Sequence, residues 1–162
     1  MNYADWLTTV PTEITGDLLW RMEVYRRALF ASDLAWLDAC HLMHHHSTLG
    51  LSDQLYRATG SISANIAGGY SRPSGKDQTR FYEYALGAAR ESRTWYYQGR
   101  HVLTEGVTLH RIKLLTSIIR LLLTITPNER GYLSEPRKLY DVDLADLLNN
   151  VPLAWEPDEK VP

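Results

Sequence analysis

The sequence predicts an all-α protein, an antiparallel up-down four-helix bundle with a C-terminal extension. Apolar residues recur at spacings of three and four through four long stretches. The connections between those stretches are short and marked by Gly or Pro, as antiparallel neighbours require. No stretch shows the strict alternation of a half-buried strand. The chain has 162 residues, the length of one domain, and is 44% hydrophobic and 22% charged, the balance of a soluble globular protein. It divides into an N-terminal segment (1–16), the bundle (17–126) and an acidic, Pro-containing tail (127–162).

The first helix is predicted from about Asp17 to His45, with Thr15 or Asp17 able to accept hydrogen bonds from free backbone amides at its start. Leu18, Met22, Tyr25, Leu29, Ser32, Trp36, Ala39 and Met43 step by alternating fours and threes, a heptad seam broken only by Ser32. Trp20, Val24, Phe30, Leu37 and Leu42 lie outside it, and this extra apolar surface predicts a subunit interface. The second helix starts near Ser52 and sets Leu51, Leu55, Ala58, Ile62 and Ile66 on one side. Small residues from Ser61 to Gly69 let a neighbouring helix come close, at some cost in helix propensity. After a loop over 71–75, the third helix runs from about Lys76 to Thr104, with Phe81, Ala85, Ala88, Ser92, Trp95, Gly99 and Val102 at heptad spacing. The fourth runs from about Val107 to Thr126, faces inward with Leu109, Ile112, Leu115, Ile119 and Leu122, and is stopped by Pro127. In the tail, Val142, Leu144, Ala145 and Leu148 can share a face and predict a short helix over Asp141–Asn149. The rest of the tail, with its prolines and acids, has the composition of a loosely packed segment.

The formal charge of −2 makes no global case for nucleic acid, but it is unevenly spread. Residues 1–50 carry net −3, residues 51–120 net +5, and residues 121–162 net −4. The basic middle offers Arg72, Lys76, Arg80, Arg93, Arg100, Arg111 and Lys113 as contacts to nucleic acid or a partner, and aromatic residues interleave at Trp95, Tyr96 and Tyr97. The single cysteine, Cys40, excludes an internal disulfide and any multi-cysteine zinc site. The first ten residues lack the features of a signal peptide, and the most apolar stretch, Ile112 to Ile125, is too short to span a bilayer, so no membrane association is expected and the cytoplasm is the expected location.

No nucleophile elbow or phosphate-binding glycine loop occurs, and no catalytic residue or cofactor is expected. His41, His44, His45 and His46 gather at the end of the first helix. His41 and His45 are four apart and could face one metal ion, yet no carboxylate completes a helical metal motif. Solvated histidines at the negative end of a helix are the simpler reading. Gln54, Arg57, Asn65 and Glu91 are expected to form a buried polar network that sets helix register, with Arg57 reaching Glu91 directly or through Asn65 or water.

Leu51, Gln54, Arg57, Ala58, Ser61, Ile62, Asn65, Ile66, Ala67 and Gly69 together resemble the signature of the bacterial four-helix bundle family encoded by intervening sequences in large-subunit ribosomal RNA genes. That pattern reads Leu, Gln-x-x-Arg-Ala, Ser-Ile and Asn-Ile-Ala-Glu-Gly, then a loop arginine, matched by Arg72. Phe81, Ala85, Gly87 and Glu91 are similar to the family's later run, and the likeness covers about residues 17–126. Gly68 replaces the usual glutamate, and Ala88 the usual serine.

The resemblance implies a ring-like homopentamer without catalysis. It also implies distant kinship with the accessory protein of diversity-generating retroelements, which binds a reverse transcriptase and its RNA through a basic surface. The expectation is therefore a non-enzymatic, homo-oligomeric scaffold for RNA, DNA or a nucleic-acid enzyme such as a reverse transcriptase. A metal-binding protein or enzyme using the histidine cluster, or a protein-only adaptor, is the alternative.

Overall fold

Four long helices follow from the four periodic stretches. The computed structural model describes residues 1–126 and 143–154. Two short helices, α1 (Tyr3–Thr9) and α2 (Thr12–Thr15), precede a 3₁₀ turn (Leu18–Arg21) and then α3 (Glu23–Met43), α4 (Leu49–Tyr70), α5 (Gly75–Gly99) and α6 (Glu105–Ile125). A short α7 (Leu144–Asn149) completes the described chain. Each long helix packs on the next, and α6 closes back on α3. The short connections make neighbours antiparallel. Most of the predicted tail, 127–142 and 155–162, lies outside the described residues.

Local chemistry moves three boundaries from the expected ones. The Asp17 side chain accepts from the Leu19 amide at 2.8 Å, which starts the 3₁₀ turn, and the extended backbone of Met22 resets the chain before α3. Thr104 belongs to the next helix instead of ending α5: its hydroxyl accepts from the Val107 amide at 3.2 Å as the cap of α6. Asp143 caps α7, so the short tail helix begins at Leu144 and buries Leu147 in place of the expected Leu144 and Ala145, which are exposed.

Residues 3–9 contribute to the core. Trp6 is buried, stacks on Tyr3 and packs against Phe30 with ring centroids 5.3 Å apart, while its indole N–H donates to Asp33 at 2.6 Å.

The inward face of α3 is not the expected seam. Val24, Ala28, Ala31, Ala35, Asp38 and Leu42 point into the bundle, again by alternating fours and threes, and Leu34 and Phe30 flank them. Of the expected seam only Ala39 is buried. The apolar residues assigned outside it include core members Val24, Phe30 and Leu42. On α6, Leu109 faces solvent, whereas Leu115, Ile119 and Leu122 are buried as expected.

The buried polar network is a different one from that expected. Arg57 is exposed and pairs with Asp53 on its own helix at 3.5 Å. Glu91 is exposed and accepts from the Trp95 indole at 3.2 Å. Asn65 donates to Ser61, and Gln54 faces solvent. The periodic positions these residues occupy lie toward the helix flanks, so a single bundle does not enclose them. The enclosed carboxylate is Asp38, with 0% exposure. Arg111 holds it with a two-pronged contact, Nε to Oδ2 at 2.7 Å and Nη2 to Oδ1 at 3.2 Å, and the Tyr96 hydroxyl donates to Oδ2 at 2.7 Å. Burial first, then the Asp38 charge, push the Tyr96 phenol well above its ordinary pKa, so it stays a donor.

The network continues outward. Arg111 Nη1 donates to His110 Nδ1 at 2.9 Å, which leaves the His110 Nε2–H to donate to the Leu147 carbonyl at 2.7 Å. One chain of hydrogen bonds thus joins α3, α5, α6 and α7. Burial, then the Arg111 charge, lower the His110 pKa to about 4.

Two outcomes follow from this geometry. Asp38→Ala strands the Arg111 guanidinium and should cost about 3–5 kcal/mol, whereas the apolar double variant Asp38→Leu with Arg111→Met should recover most of it. Denaturant unfolding of the three variants measures this. His110 binds a proton more readily in the unfolded chain, where its pKa is about 6.5, than in the fold. Its contribution is fully present above pH 6.5 and is lost as pH falls toward 4, by at most about 3 kcal/mol. His110→Gln, which does not titrate, should show a smaller drop in melting midpoint between pH 7 and pH 5 than the parent.

Candidate nucleic-acid interface

The tip where α4 turns into α5 gathers cations and aromatic rings. α4 ends at Tyr70, the Ser71 hydroxyl closes it on the Ala67 carbonyl at 2.8 Å, and Ser74 caps α5 on the Asp77 amide at 3.3 Å. The two helices meet here because Gly68 and Gly69 carry no side chains. A Cβ at Gly69 would lie 2.8 Å from the Tyr82 ring, and one at Gly68 would lie 3.0 Å from the Phe81 ring. Phe81 is thereby pressed against bare backbone. On that ring the Arg72 guanidinium sits 4.5 Å from the centroid, Arg80 lies 5.9 Å away, and Tyr84 meets it edge-on at 5.9 Å. Tyr84 is 53% exposed and Tyr70 38%.

Charge at the tip is only partly compensated. Arg80 lies 3.4 Å from Asp77, while Arg72 and Lys76 have no ion-pair partner among the described residues. Both are exposed.

The remaining expected contact residues do not join this cluster. Arg111 is a correction: it is 1% exposed and spent on Asp38, so it is unavailable to any external partner. Tyr96, from the expected aromatic–arginine run, is likewise core. Arg93 is half-buried and donates to the Thr116 hydroxyl at 3.2 Å. Arg100 stands at the opposite end of α5, 4.0 Å over the exposed Tyr97 ring. Lys113 lines a separate cleft of about 330 Å³ between α6 and α7, beside Leu109, Asp143 and Asp146.

A second exposed feature lies along α3 and α4. Trp36 (53% exposed) meets Tyr56 edge-on at 5.5 Å, and Met43 and Leu49 are also exposed. The residues expected to form surplus apolar surface on the first helix do not: Val24, Phe30 and Leu42 are buried and Trp20 and Leu37 half-buried, and the exposed apolar side chains of α3 are Trp36 and Met43 from the expected core seam. At the histidine cluster, the His44 ring contacts the Cys40 carbonyl at 2.7 Å and the His45 ring contacts Ser47 at 3.0 Å. Among the described residues no group of three or more His, Cys, Asp or Glu side chains is placed to hold a metal ion. Among them, too, no helix is long and apolar enough to cross a membrane.

No curated protein and no solved structure matches the chain significantly. The profile of one family, the 23S rRNA-intervening sequence protein, matches residues 21–123. That span starts just before α3 and ends within the last turn of α6, so it takes in the four long helices and the α4–α5 tip. The chain therefore belongs to the 23S rRNA-intervening sequence protein family.

Proposed function

We propose that this protein is a non-enzymatic, homo-oligomeric scaffold that binds nucleic acid through the α4–α5 tip. The observation that carries the reading is the grouping of exposed Arg72 and Tyr84 around the half-buried Phe81 ring, with the charges of Arg72 and Lys76 uncompensated among the described residues. Cations beside accessible aromatic faces are what a nucleic-acid strand requires: charge for phosphates, rings for bases. The resemblance to the retroelement accessory protein extends the proposal to a complex in which a reverse transcriptase shares the bound nucleic acid, in the cytoplasm.

Self-assembly multiplies the tips. The Trp36, Met43, Leu49 and Tyr56 stripe supports a subunit contact, because an apolar band of this kind is costly to leave in water. The ring-like pentamer of the resemblance would present five tips together and raise the local positive potential.

Gel shifts with a structured RNA at two salt concentrations test the binding. Complexes are expected at low salt and should weaken at the higher concentration. The paired reversals Arg72→Glu and Lys76→Glu should abolish them, while Arg100→Glu should have little effect. Absence of a complex at low salt would remove direct nucleic-acid contact from the proposal. Trp36→Glu should shift the particle from about five times the 18.6 kDa chain mass toward the monomer in light scattering, with helical circular dichroism retained.

A further inference from the structure

We infer that the α4–α5 tip takes a single-stranded stretch of nucleic acid, with one unstacked base seated on Tyr84 and its flanking phosphates held by Arg72 and Lys76. The inference rests on the nucleic-acid reading of this surface and goes beyond it by naming the form of the strand.

A duplex presents phosphates and groove edges, but its base faces are covered by their neighbours. A surface that reads duplex backbone therefore needs a long array of cations and has no use for open rings. The tip has the opposite make-up. Among the described residues each tip has two uncompensated cations, Arg72 and Lys76, because Asp77 lies beside Arg80. Glu83 is exposed on the same stretch of α5 and would repel a second run of phosphates. The rings, by contrast, are open: Tyr84 and Tyr70 both face solvent.

The platform is also held in place before any ligand arrives. Phe81 rests against the bare backbone of Gly68, takes the Arg72 guanidinium on its ring, and abuts Tyr84 edge-on. Arg72 is thus stationed beside the base seat without a competing carboxylate among the described residues. An ordered seat lowers the conformational cost of ordering side chains on binding.

Fluorescence anisotropy of a labelled RNA of about 12 nucleotides, alone and annealed to its complement, tests the inference on the full-length protein. The single strand should bind at least about tenfold more tightly than the duplex. Tyr84→Ala should weaken single-strand binding by about 5- to 160-fold, the range for loss of one base–aromatic stack, and Tyr84→Phe should stay close to the parent. With two or three phosphates engaged, log K should fall against log salt with a slope of about −1.5 to −2. Tyr84 is exposed, so its variants should fold; retained melting midpoints confirm that. Equal binding of the two forms, or an unchanged affinity in Tyr84→Ala, would overturn the single-strand inference while leaving the nucleic-acid reading standing if the Arg72 and Lys76 reversals still abolish binding. No binding of either form would overturn both.

Discussion

Asp38 sits on the inward seam of α3 with no solvent contact, and an isolated carboxylate there would cost many kcal/mol. The fold meets that cost with a guanidinium from α6 and a phenol from α5, both at 2.7 Å. These contacts are directional. The planar fork of Arg111 fits the two carboxylate oxygens in one orientation only. A slip of α6 by one turn would carry Arg111 away and leave two buried charges unpaired. An apolar seam tolerates such slips far better. We therefore assign the choice of register among α3, α5 and α6 to this network, with His110 extending it to α7 through the Leu147 carbonyl.

The same constraint shapes the surface. Ala28, Ala31 and Ala35 share the seam of Asp38, and small side chains bring α3 close enough to its neighbours for the charged contacts to form. The large apolar side chains of the helix are then divided. Phe30, Leu34 and Leu42 go inward, while Trp36 and Met43 go outward.

The sequence made the four helices, their order and their loops legible, because the 3.6-residue period over four long stretches has few other solutions. The inner face of α4 was legible too, through Leu55, Ala58, Ile62 and Ile66, and that of α5 in part: Ala85, Ala88, Ser92 and Gly99 are buried, but Phe81 and Trp95 are only half-buried, and Tyr82, Leu86, Ala89 and Tyr96 fill the core beside them. α3 was misread because two seams of identical spacing run along it. The one with larger apolar residues reads as the core, whereas the inward one carries three alanines and an aspartate. A signal was present all the same. An acidic residue in register with Val24, Ala28, Ala31, Ala35 and Leu42 calls for a buried cation, and Arg111 stands within the most apolar helix. The expected network at Gln54, Arg57, Asn65 and Glu91 failed for the complementary reason. Its members sit at helix flanks, where long side chains reach water. The tip cluster was half legible: Arg72, Lys76 and Arg80 were singled out, but the alignment of Phe81 with Gly68 across two helices has no local signature.

Gly68 ties the departure from the family pattern to the chemistry of the tip. The pattern places a glutamate there, and this chain has none. Two physical consequences come together. The tip loses a negative charge, so Arg72 faces no carboxylate from the end of α4. The space a side chain would fill is taken by Phe81, whose ring atoms lie as close as 3.0 Å to the Cβ position. A side chain restored there would require the ring on which Arg72 stacks and against which Tyr84 rests to give way by a few tenths of an ångström. The substitution at 68 and the exposed arginine–aromatic surface are thus one trait.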